Sequence, residues 1–434
     1  MEKKRPREDA PYVAPPSRGL PFTEKRVTFV ADRDITMTDK KKTSFGLLPR
    51  IVVAIALGIG CGYFLPMWAT RIFATFNQVF SEFLGFCIPL IIIGFVAPAI
   101  ADIGSKAGKM LVATALLAYV ATLGAGMLSY ATGQMFFPSM ITPDEYVEAE
   151  SRAVEVVPYF KVGIPPLMSV MTALVSAFVV GLGASRLKGD IIRGALDEFR
   201  TIVDMVIRRA IVPLLPVYIF GIFLGMTAAG EVAVVLSAFM KIILVIFGLH
   251  VLLLVVQYAI AALFAKGRIS RNPFKLLWTM MPAYFTALGT QSSAATIPVT
   301  LERTIRMGVD KDVAGFTVPL CATIHMSGSC LKLVACAMAL MLLKGMPYDF
   351  GMFMGFVAML GITIVAAPGV PGGAVMASLG LLASILGFSE ADNALMIALY
   401  IAMDSFGTAC NVTGDGALSV IINRFFAPSS APVT

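Results

Sequence analysis

The chain has 434 residues, of which 58% are hydrophobic and 14% are charged, and its formal net charge is +7. This composition excludes a soluble interaction protein and is typical of a chain that crosses a lipid bilayer repeatedly. The basic residues concentrate in the N-terminal tail and in short loops, so the net charge does not indicate a nucleic-acid partner.

The chain begins with a segment of a different kind. Residues 1–44 are rich in Lys, Arg, Pro and Asp and have no apolar run, which predicts a disordered basic tail. Residues 45–427 are predicted to form one membrane domain, and residues 428–434 a short C-terminal tail. The six cysteines lie in apolar stretches without CxxC spacing, which favours thiols packed in the core over disulfides or a metal site.

Six apolar stretches long enough to span a bilayer follow the tail. They lie near Phe45–Leu65, Phe80–Ile100, Gly108–Phe136, Leu167–Leu187, Ile211–Ala228 and Val232–Phe264. Four later apolar stretches are interrupted midway by small and polar residues: Leu276–Gly308, Val313–Leu343, Phe350–Gly387 and Asn393–Asn423. Continuous helices followed by interrupted ones predict a scaffold and a working core.

The charges of the loops predict the orientation of the chain. The loops assigned to the cytoplasm carry Lys106, Lys109, Arg186, Lys188, Arg193, Arg200, Arg208, Arg209, Lys266, Arg268, Arg271 and Lys275. The 137–166 loop, assigned to the outside, has more acidic than basic residues, and its only basic residues are Arg152 and Lys161. This pattern satisfies the positive-inside rule, so we predict a multi-pass protein of the inner (plasma) membrane with a cytoplasmic N-terminus.

Two of the interrupted stretches contain predicted hairpin tips. Residues 289–293 read GTQSS, and Ser292 or Ser293 can cap a helix that starts at Ala294. Residues 368–373 read PGVPGG. Such backbone is tolerated at membrane depth only where it is buried in protein or lines a cavity, and its free amides would suit a substrate carboxylate. Each tip alone could reflect the general frequency of Gly and Pro in membrane helices, but the pair is typical of a transporter site.

Two carboxylates, Asp404 and Asp415, are the only charged residues within Asn393–Asn423. Eleven residues at about 100° each place them within about 20° of one another on a regular helix. A charge at bilayer depth costs at least roughly 2.5–3.5 kcal/mol and faces a cavity or an ion path. The polar run 408–414 predicts a weakened helix between them, as does 323–329 in the earlier span, and unwound carbonyls there could coordinate a cation.

Two other function classes were weighed against a transporter. A channel also uses broken helices to line its pore. A membrane enzyme would need a nucleophile–base pair or a metal cluster, whereas His250 and His325 stand alone in apolar sequence. We therefore predict a protein that is not an enzyme and that has no cofactor.

The interrupted stretches contain four motifs in order: QSSAATIPVT at 291–300, ATIHM at 322–326, GVPGG at 369–373 and TACNVTGD at 408–415. Together with FKVGIPPLMSVMTALV at 160–175, these motifs resemble those of the dicarboxylate/amino acid:cation symporter family, the bacterial relatives of the glutamate transporters. The resemblance covers roughly Leu47 to Phe426.

The resemblance implies a fold and an assembly. It implies an all-α polytopic membrane protein with eight transmembrane helices, two re-entrant helical hairpins and an inverted-repeat elevator fold, assembled as a homotrimer. Residues of about 45–100 and 167–229 would form the fixed scaffold, and residues of about 108–136 and 232–426 the moving transport core.

The resemblance also implies two kinds of site. Asp404 would hold the amino group of an amino acid substrate and Asn411 its carboxylate. The implied substrate site comprises Ser292, Ser293, Ser329, Gly369, Gly372, Asp404, Gly407, Thr408 and Asn411. The implied cation ligands are Thr323, His325, Met326, Asn411 and Asp415, with Na⁺ as the coupling ion and H⁺ as the alternative.

Departures from the family pattern indicate the substrate. Members with acidic substrates carry an arginine at the position of Gly407, and Gln291 replaces a second arginine. A second substrate carboxylate would be buried without a partner, which is strongly disfavoured. Together with the DSxxTAxN pattern at 404–411, which is similar to the family's serine/threonine transporters, this predicts a small neutral amino acid. The alternative is a sodium- or proton-coupled carrier of dicarboxylates or acidic amino acids.

Other departures concern the coupling ion. The family's Asn-Met-Asp is replaced by His325-Met326-Ser327, and its partner hydroxyls by Ala118 and Tyr119, so we expect a third cation site to be absent. Lys332 either snorkels or faces a polar crevice, or its ammonium replaces a cation near that vacated site. His325 is either a hydrogen-bonded helix residue or a proton-linked group.

Overall fold

Helices make up all of the regular structure in the described part of the chain, which comprises residues 47–105, 108–141, 156–365 and 372–427. The structure is a computed structural model of the full sequence. Both predicted tails, residues 142–155 of the predicted external loop and residues 368–371 of the second predicted tip, which include Gly369, lie outside the described residues. The all-helical prediction is therefore confirmed where it can be compared.

The first half of the chain folds into seven helices in the described residues, and all of them except α5 overlap a predicted apolar stretch. They are α1 (Leu47–Gly62), α2 (Met67–Ser105), α3 (Lys109–Met140), α4 (Val170–Arg186), α5 (Ile191–Val206), α6 (Val212–Ala229) and α7 (Val232–Phe264). Both ends of α7 agree with the predicted span, and the stretch predicted at 80–100 is the centre of the 39-residue helix α2.

The basic segment predicted as a loop after α4 is largely helical, which corrects the prediction. α5 is amphipathic, with its charged residues spaced so that an apolar face including Val203 is buried. One π-helical turn, Ile207–Ile211, joins α5 to α6, so a single helical segment runs over Ile191–Ala229. The charges of this segment lie on one side of a helix, so they are compatible with helix formation at a membrane surface.

The second half consists of helices separated by short breaks. They are α8 (Pro273–Thr290), α9 (Ser293–Arg306), α10 (Lys311–Ile324), α11 (Ser327–Leu343), α12 (Phe350–Val365), α13 (Gly373–Leu386), α14 (Glu390–Ala402) and α15 (Asp404–Phe426). The predicted break at His325 and Met326 separates α10 from α11. The α14–α15 pair is bent by 62° at Met403.

The first hairpin tip forms where the sequence predicts it. Gln291 ends α8 in a left-handed conformation with φ 53°, which reverses the chain direction. The Ser292 hydroxyl accepts a hydrogen bond from the backbone N–H of Ala295 at 3.3 Å and caps α9, which begins at Ser293. The cap satisfies an amide that would otherwise lack a partner at the start of the helix.

The predicted weakening of the helix between Asp404 and Asp415 is wrong. α15 is continuous over Asp404–Phe426, and the break lies one residue before Asp404. The polar side chains find partners without opening the backbone, since Thr413 donates to the carbonyl of Ala409 at 2.7 Å and Asn411 bonds to α11. Polar residues therefore do not interrupt a buried helix when neighbours supply their hydrogen bonds.

Several helices have the length and composition of membrane spans. In the described residues, five helical segments are long and apolar enough to cross a bilayer, and the bent pair α14–α15 makes a sixth. Exposed apolar side chains such as Leu244 and Leu263 on α7 are compatible with contact to lipid.

The helices form two packed groups. α1, α2, α4, α5 and α6 pack on one another, whereas α3 and α7 to α15 pack around two central helices, α11 and α15. Every residue of α11 except Leu342 is buried, and nearly all of α15 up to Ile422 is buried as well. α13 and α14 provide contacts between the two groups. The polar residues of α11 and α15 are thus held away from lipid at the centre of the second group.

Candidate functional site

A buried carboxylate opens α15 and joins three elements. One oxygen of Asp404, Oδ1, lies 3.1 Å from the Nζ of Lys332 on α11. The other, Oδ2, accepts a hydrogen bond of 2.8 Å from the backbone N–H of Gly372, just before α13. Asp404 is in the first turn of its helix, where the helix dipole favours a negative charge. Gly372 at the start of α13 and Lys332 of α11 therefore meet at this carboxylate.

The ammonium of Lys332 is enclosed by protein. Its side chain has no exposed surface, and Nζ lies 3.3 Å from the carbonyl oxygen of Tyr400 and 3.3 Å from the centre of the Tyr400 ring. A carboxylate, a carbonyl and a π face are all favourable partners for an ammonium. The prediction that Lys332 snorkels is wrong, because its side chain has no exposed surface and turns inward to polar partners at Asp404 and Tyr400.

Gly407 leaves room for this lysine. A Cβ atom at position 407 would lie 3.1 Å from Nζ and 3.3 Å from Cε of Lys332. The ammonium thus occupies the space in which any side chain from position 407 would begin. An arginine at position 407 and the ammonium of Lys332 would therefore compete for the same space.

The first hairpin tip contacts the same turn of α15. The amide of Gln291 donates to the hydroxyl of Ser405 at 2.9 Å. Ser293, the first residue of α9, lies beside the cap residue Ser292, and both are half-buried. Adjacent residues at the start of α15 therefore bond to both hairpins, Ser405 to the first and Asp404 to the second.

Asn411 binds the start of α11. Its Oδ1 accepts from the backbone N–H groups of Gly328 at 2.8 Å and Ser329 at 3.3 Å, and its Nδ2 donates to the Ser329 hydroxyl at 3.0 Å and towards the sulfur of Met326 at 3.5 Å. The first amides of a helix have no partners within it, so this side chain caps α11 from another helix. Asn411, Ser329 and Met326 are thus brought together.

Asp415 has a nitrogen base as its partner. Its Oδ1 lies 2.9 Å from Nδ1 of His325, and both side chains are almost completely buried. His325 is the residue at the break between α10 and α11, so it is hydrogen-bonded as predicted but does not lie within a helix. The network continues through Gln257 of α7, whose Nε2 lies 3.5 Å from Nε2 of His325 and donates to Ser327 at 3.0 Å.

The remaining predicted residues are placed as follows. Thr408 is buried one turn after Asp404 on α15. Thr323 is exposed, and its hydroxyl donates to the carbonyl of Leu320 at 2.7 Å. Within the described residues, no group of three or more His, Cys, Asp or Glu side chains could hold a metal ion. A cation at Asp415 would therefore depend mainly on backbone carbonyls and on the carboxylate oxygen that His325 does not contact.

The sodium:dicarboxylate symporter family matches residues 47–425 of this chain. The chain belongs to this family. The resemblance predicted from four short motifs is thereby confirmed, and the protein is a multi-pass membrane protein and a cation-coupled symporter.

Curated relatives of this symporter include serine/threonine transporters. The serine/threonine transporter SstT of Acinetobacter baumannii strain AYE is 25% identical over 387 residues, which cover 85% of this chain and 94% of the relative. The protein of the same name from strain SDF is 24% identical over the same shares. The similarity therefore extends over nearly the whole length of both proteins.

The sequence analysis did not predict Gln257 and Tyr258 on α7, which contact the residues of the candidate site. The Tyr258 hydroxyl donates to the carbonyl of Thr413 at 2.7 Å. His250, two turns before Gln257, lies 3.2 Å from the carbonyl of Gly328 through its Nε2. His250 and Gln257 are seven residues apart in a 33-residue apolar helix, and this spacing places both on one helix face. That pattern was a readable signal, because polar residues at membrane depth commonly mark a site.

Proposed function

We propose that this symporter imports a small neutral amino acid, of the serine or threonine kind, together with a cation, of which sodium is the first candidate. The observation that carries the proposal is the ion pair of Lys332 and Asp404 beside Gly407, in which the two charges cancel. The one cation at that position, Lys332, is already bound to Asp404, so no free positive charge awaits a second substrate carboxylate. The names of the relatives, serine/threonine transporters, support the same substrate class.

We propose a substrate site between the two hairpin tips and the first turns of α15. Its members are Ser292, Ser293, Ser329, Gly369, Gly372, Asp404, Gly407, Thr408 and Asn411. The amino group would bind Oδ2 of Asp404 after displacing the N–H of Gly372, so binding would couple to movement of the second tip. The substrate carboxylate would accept from amides at the first tip, where α9 begins.

The coupling ion is proposed to bind around Asp415. Its ligands would be drawn from Thr323, His325, Met326, Asn411 and Asp415, with the backbone carbonyls at the α10–α11 break completing them. Oxygen ligands are those that a hard cation such as Na⁺ prefers. The imidazole of His325 on Oδ1 of Asp415 makes H⁺ the second candidate ion.

We further propose an elevator mechanism with eight transmembrane helices, two re-entrant hairpins, a cytoplasmic N-terminus and a homotrimeric assembly. The two packed groups of helices support it. The first group corresponds to the scaffold of about 45–100 and 167–229, and the second to the transport core of about 108–136 and 232–426. All the proposed site residues in the described part of the chain belong to the second group, so they would move together.

A dicarboxylate or acidic amino acid is the second candidate substrate. It is favoured by one observation, the ammonium of Lys332 at 3.1 Å from a Cβ at Gly407. If Lys332 left Asp404, this ammonium could bind a second carboxylate of the substrate.

Uptake into proteoliposomes tests the proposal. The purified protein is supplied with labelled serine, threonine, alanine, aspartate or succinate under an inward Na⁺ gradient, a pH gradient or neither. We expect accumulation of serine or threonine that requires the Na⁺ gradient and that excess aspartate and succinate do not inhibit. Accumulation of aspartate or succinate instead would contradict the proposed substrate, and dependence on the pH gradient alone would contradict sodium coupling.

A further inference from the structure

The buried pair of Lys332 and Asp404 places a protein ammonium at the carboxylate that is proposed to receive the substrate's ammonium. The inference below rests on that proposed role of Asp404. Lys332 is fully buried, so its ammonium is neither solvated by water nor paired with a lipid headgroup. Its partner Asp404 is only 10% exposed in its side chain. Each charge therefore depends on the other for compensation.

The ammonium of Lys332 has three protein contacts. Nζ contacts Oδ1 of Asp404, the Tyr400 carbonyl and the Tyr400 ring. An ammonium has three hydrogens to donate, and these three contacts use them. A lysine poised to bind a substrate carboxylate would instead keep a donor directed into an open site. The contacts therefore favour a role towards Asp404 over a role towards the substrate.

The two oxygens of Asp404 have separate partners, and this separation gives an order of events. Oδ1 is held by Lys332, and Oδ2 by the N–H of Gly372 at the second tip. A substrate amino group can reach Oδ2 once the tip moves away, without first expelling Lys332. When the substrate leaves, Lys332 keeps the carboxylate paired.

We propose that Lys332 is a tethered counter-ion that keeps Asp404 neutralised in the substrate-free carrier, so that the empty transport core can return across the membrane. An unpaired carboxylate at membrane depth is costly, and it would slow any step in which the core moves without substrate. The loaded core has no such need, because the substrate's ammonium then pairs with Asp404. Lys332 thus acts on transport through Asp404, whose negative charge it compensates.

Comparison of net uptake with exchange tests this role, because only net uptake requires the empty core to return. The variants are Lys332→Met, Lys332→Arg and the matched control Lys344→Met. Lys344 follows the end of α11 and pairs with Asp392 at 2.7 Å, so its replacement also removes a lysine–aspartate pair but leaves Asp404 untouched. Labelled serine is the probe. If the wild-type protein accumulates aspartate or succinate instead, that substrate replaces serine in every measurement.

We expect Lys332→Met to lower net uptake by at least about tenfold while exchange changes by less than about threefold, because only the empty core carries an unpaired carboxylate. The concentration of substrate that half-saturates exchange should fall, since the ammonium of Lys332 no longer repels the substrate's ammonium at Asp404. Lys332→Arg should recover most of the net uptake, and Lys344→Met should leave the ratio of exchange to net uptake at its wild-type value.

A parallel loss of net uptake and exchange in Lys332→Met, in a protein that melts like the wild type, would show that Lys332 binds substrate and would overturn the inference. Unchanged net uptake would overturn it equally. Failure of the proposed function is seen separately, in which substrate the wild-type protein accumulates.

A measurement without substrate completes the test. Thermal unfolding in detergent is compared for Lys332→Met, Asp404→Asn and the double variant. We expect the double variant to be more stable than Lys332→Met, because it no longer buries an unpaired carboxylate. Additive losses of stability would show that the two side chains do not depend on each other, and this also would contradict the inference.

Discussion

Each buried carboxylate of α15 contacts a nitrogen-bearing side chain from the α10–α11 break or the first turns of α11. Asp404 pairs with Lys332 and Asp415 with His325. The partners are separated by 72 and 90 positions in the sequence. The sequence predicts that the two carboxylates are functional, because charged residues are rare in apolar stretches. Their partners could not be predicted, because pairing between residues so far apart in sequence depends on how the helices pack, and hydrophobic periodicity carries no information on that packing.

The first prediction concerns His325. Replacing His325 with Ala leaves the buried Asp415 carboxyl without this hydrogen-bond partner, and an unsatisfied buried polar group costs about 1–3 kcal/mol, and more when it is charged. We expect a clear fall in the melting temperature of the detergent-solubilised protein. Asp415→Asn should be milder, because an amide can still accept a hydrogen bond from His325. Equal melting temperatures for His325→Ala and the wild type would contradict the network.

The second prediction concerns Gly407. An arginine there would begin 3.1 Å from the ammonium of Lys332, so two cations would compete for Asp404. We expect Gly407→Arg alone to abolish uptake, and Gly407→Arg combined with Lys332→Met to restore uptake with a shift towards aspartate. Competition of labelled serine with aspartate measures the shift. Undiminished serine uptake by Gly407→Arg alone would show that the arginine and Lys332 do not compete for the same space.

At the scale of the helices, the sequence predicts breaks where the backbone needs unusual conformations. The first tip is predicted within one residue because Gln291 and Ser292 combine a chain reversal with a helix cap. The continuity of α15 is not predicted, since its polar residues resemble an interruption until α11 is seen to supply their partners. Short sequence motifs therefore locate a helix cap well. They do not distinguish a broken helix from a continuous helix whose polar side chains are buried against neighbours.

The third prediction concerns the close approach of α11 and α15. A Cβ at Gly328 would lie 2.7 Å from both Cβ of Cys410 and the carbonyl oxygen of Gly407, so Gly328→Ala must separate the helices. Overpacking of this kind costs about 1–3 kcal/mol, and we expect a lower melting temperature together with weaker substrate binding. Gly315→Ala in α10, where the added methyl meets open space, is the control and should melt like the wild type.

At the scale of the whole molecule, the prediction of a scaffold and a working core came from the order of continuous and interrupted stretches. The structure places α3 with the later helices, where Ser129 of α3 donates to the carbonyl of Leu331 in α11 at 2.8 Å. Hydropathy alone groups α3 with its neighbours in sequence, because its apolar stretch is continuous. Its assignment to the core came from the resemblance to the family, and the packing supports the same grouping.

The last prediction concerns the surface between the two groups of helices. A Cβ at Gly380 of α13 would overlap Val170 of α4 and lie 2.7 Å from Ile88 of α2. If the core moves along the scaffold, a large side chain at this crossing should hold it in place. We expect Gly380→Leu to abolish both net uptake and exchange while substrate still binds to the solubilised protein. Gly355→Leu, on an exposed part of α12 with open space around it, should transport normally. Normal exchange by Gly380→Leu would mean that transport does not require movement at this crossing, and the elevator mechanism would then have to be abandoned.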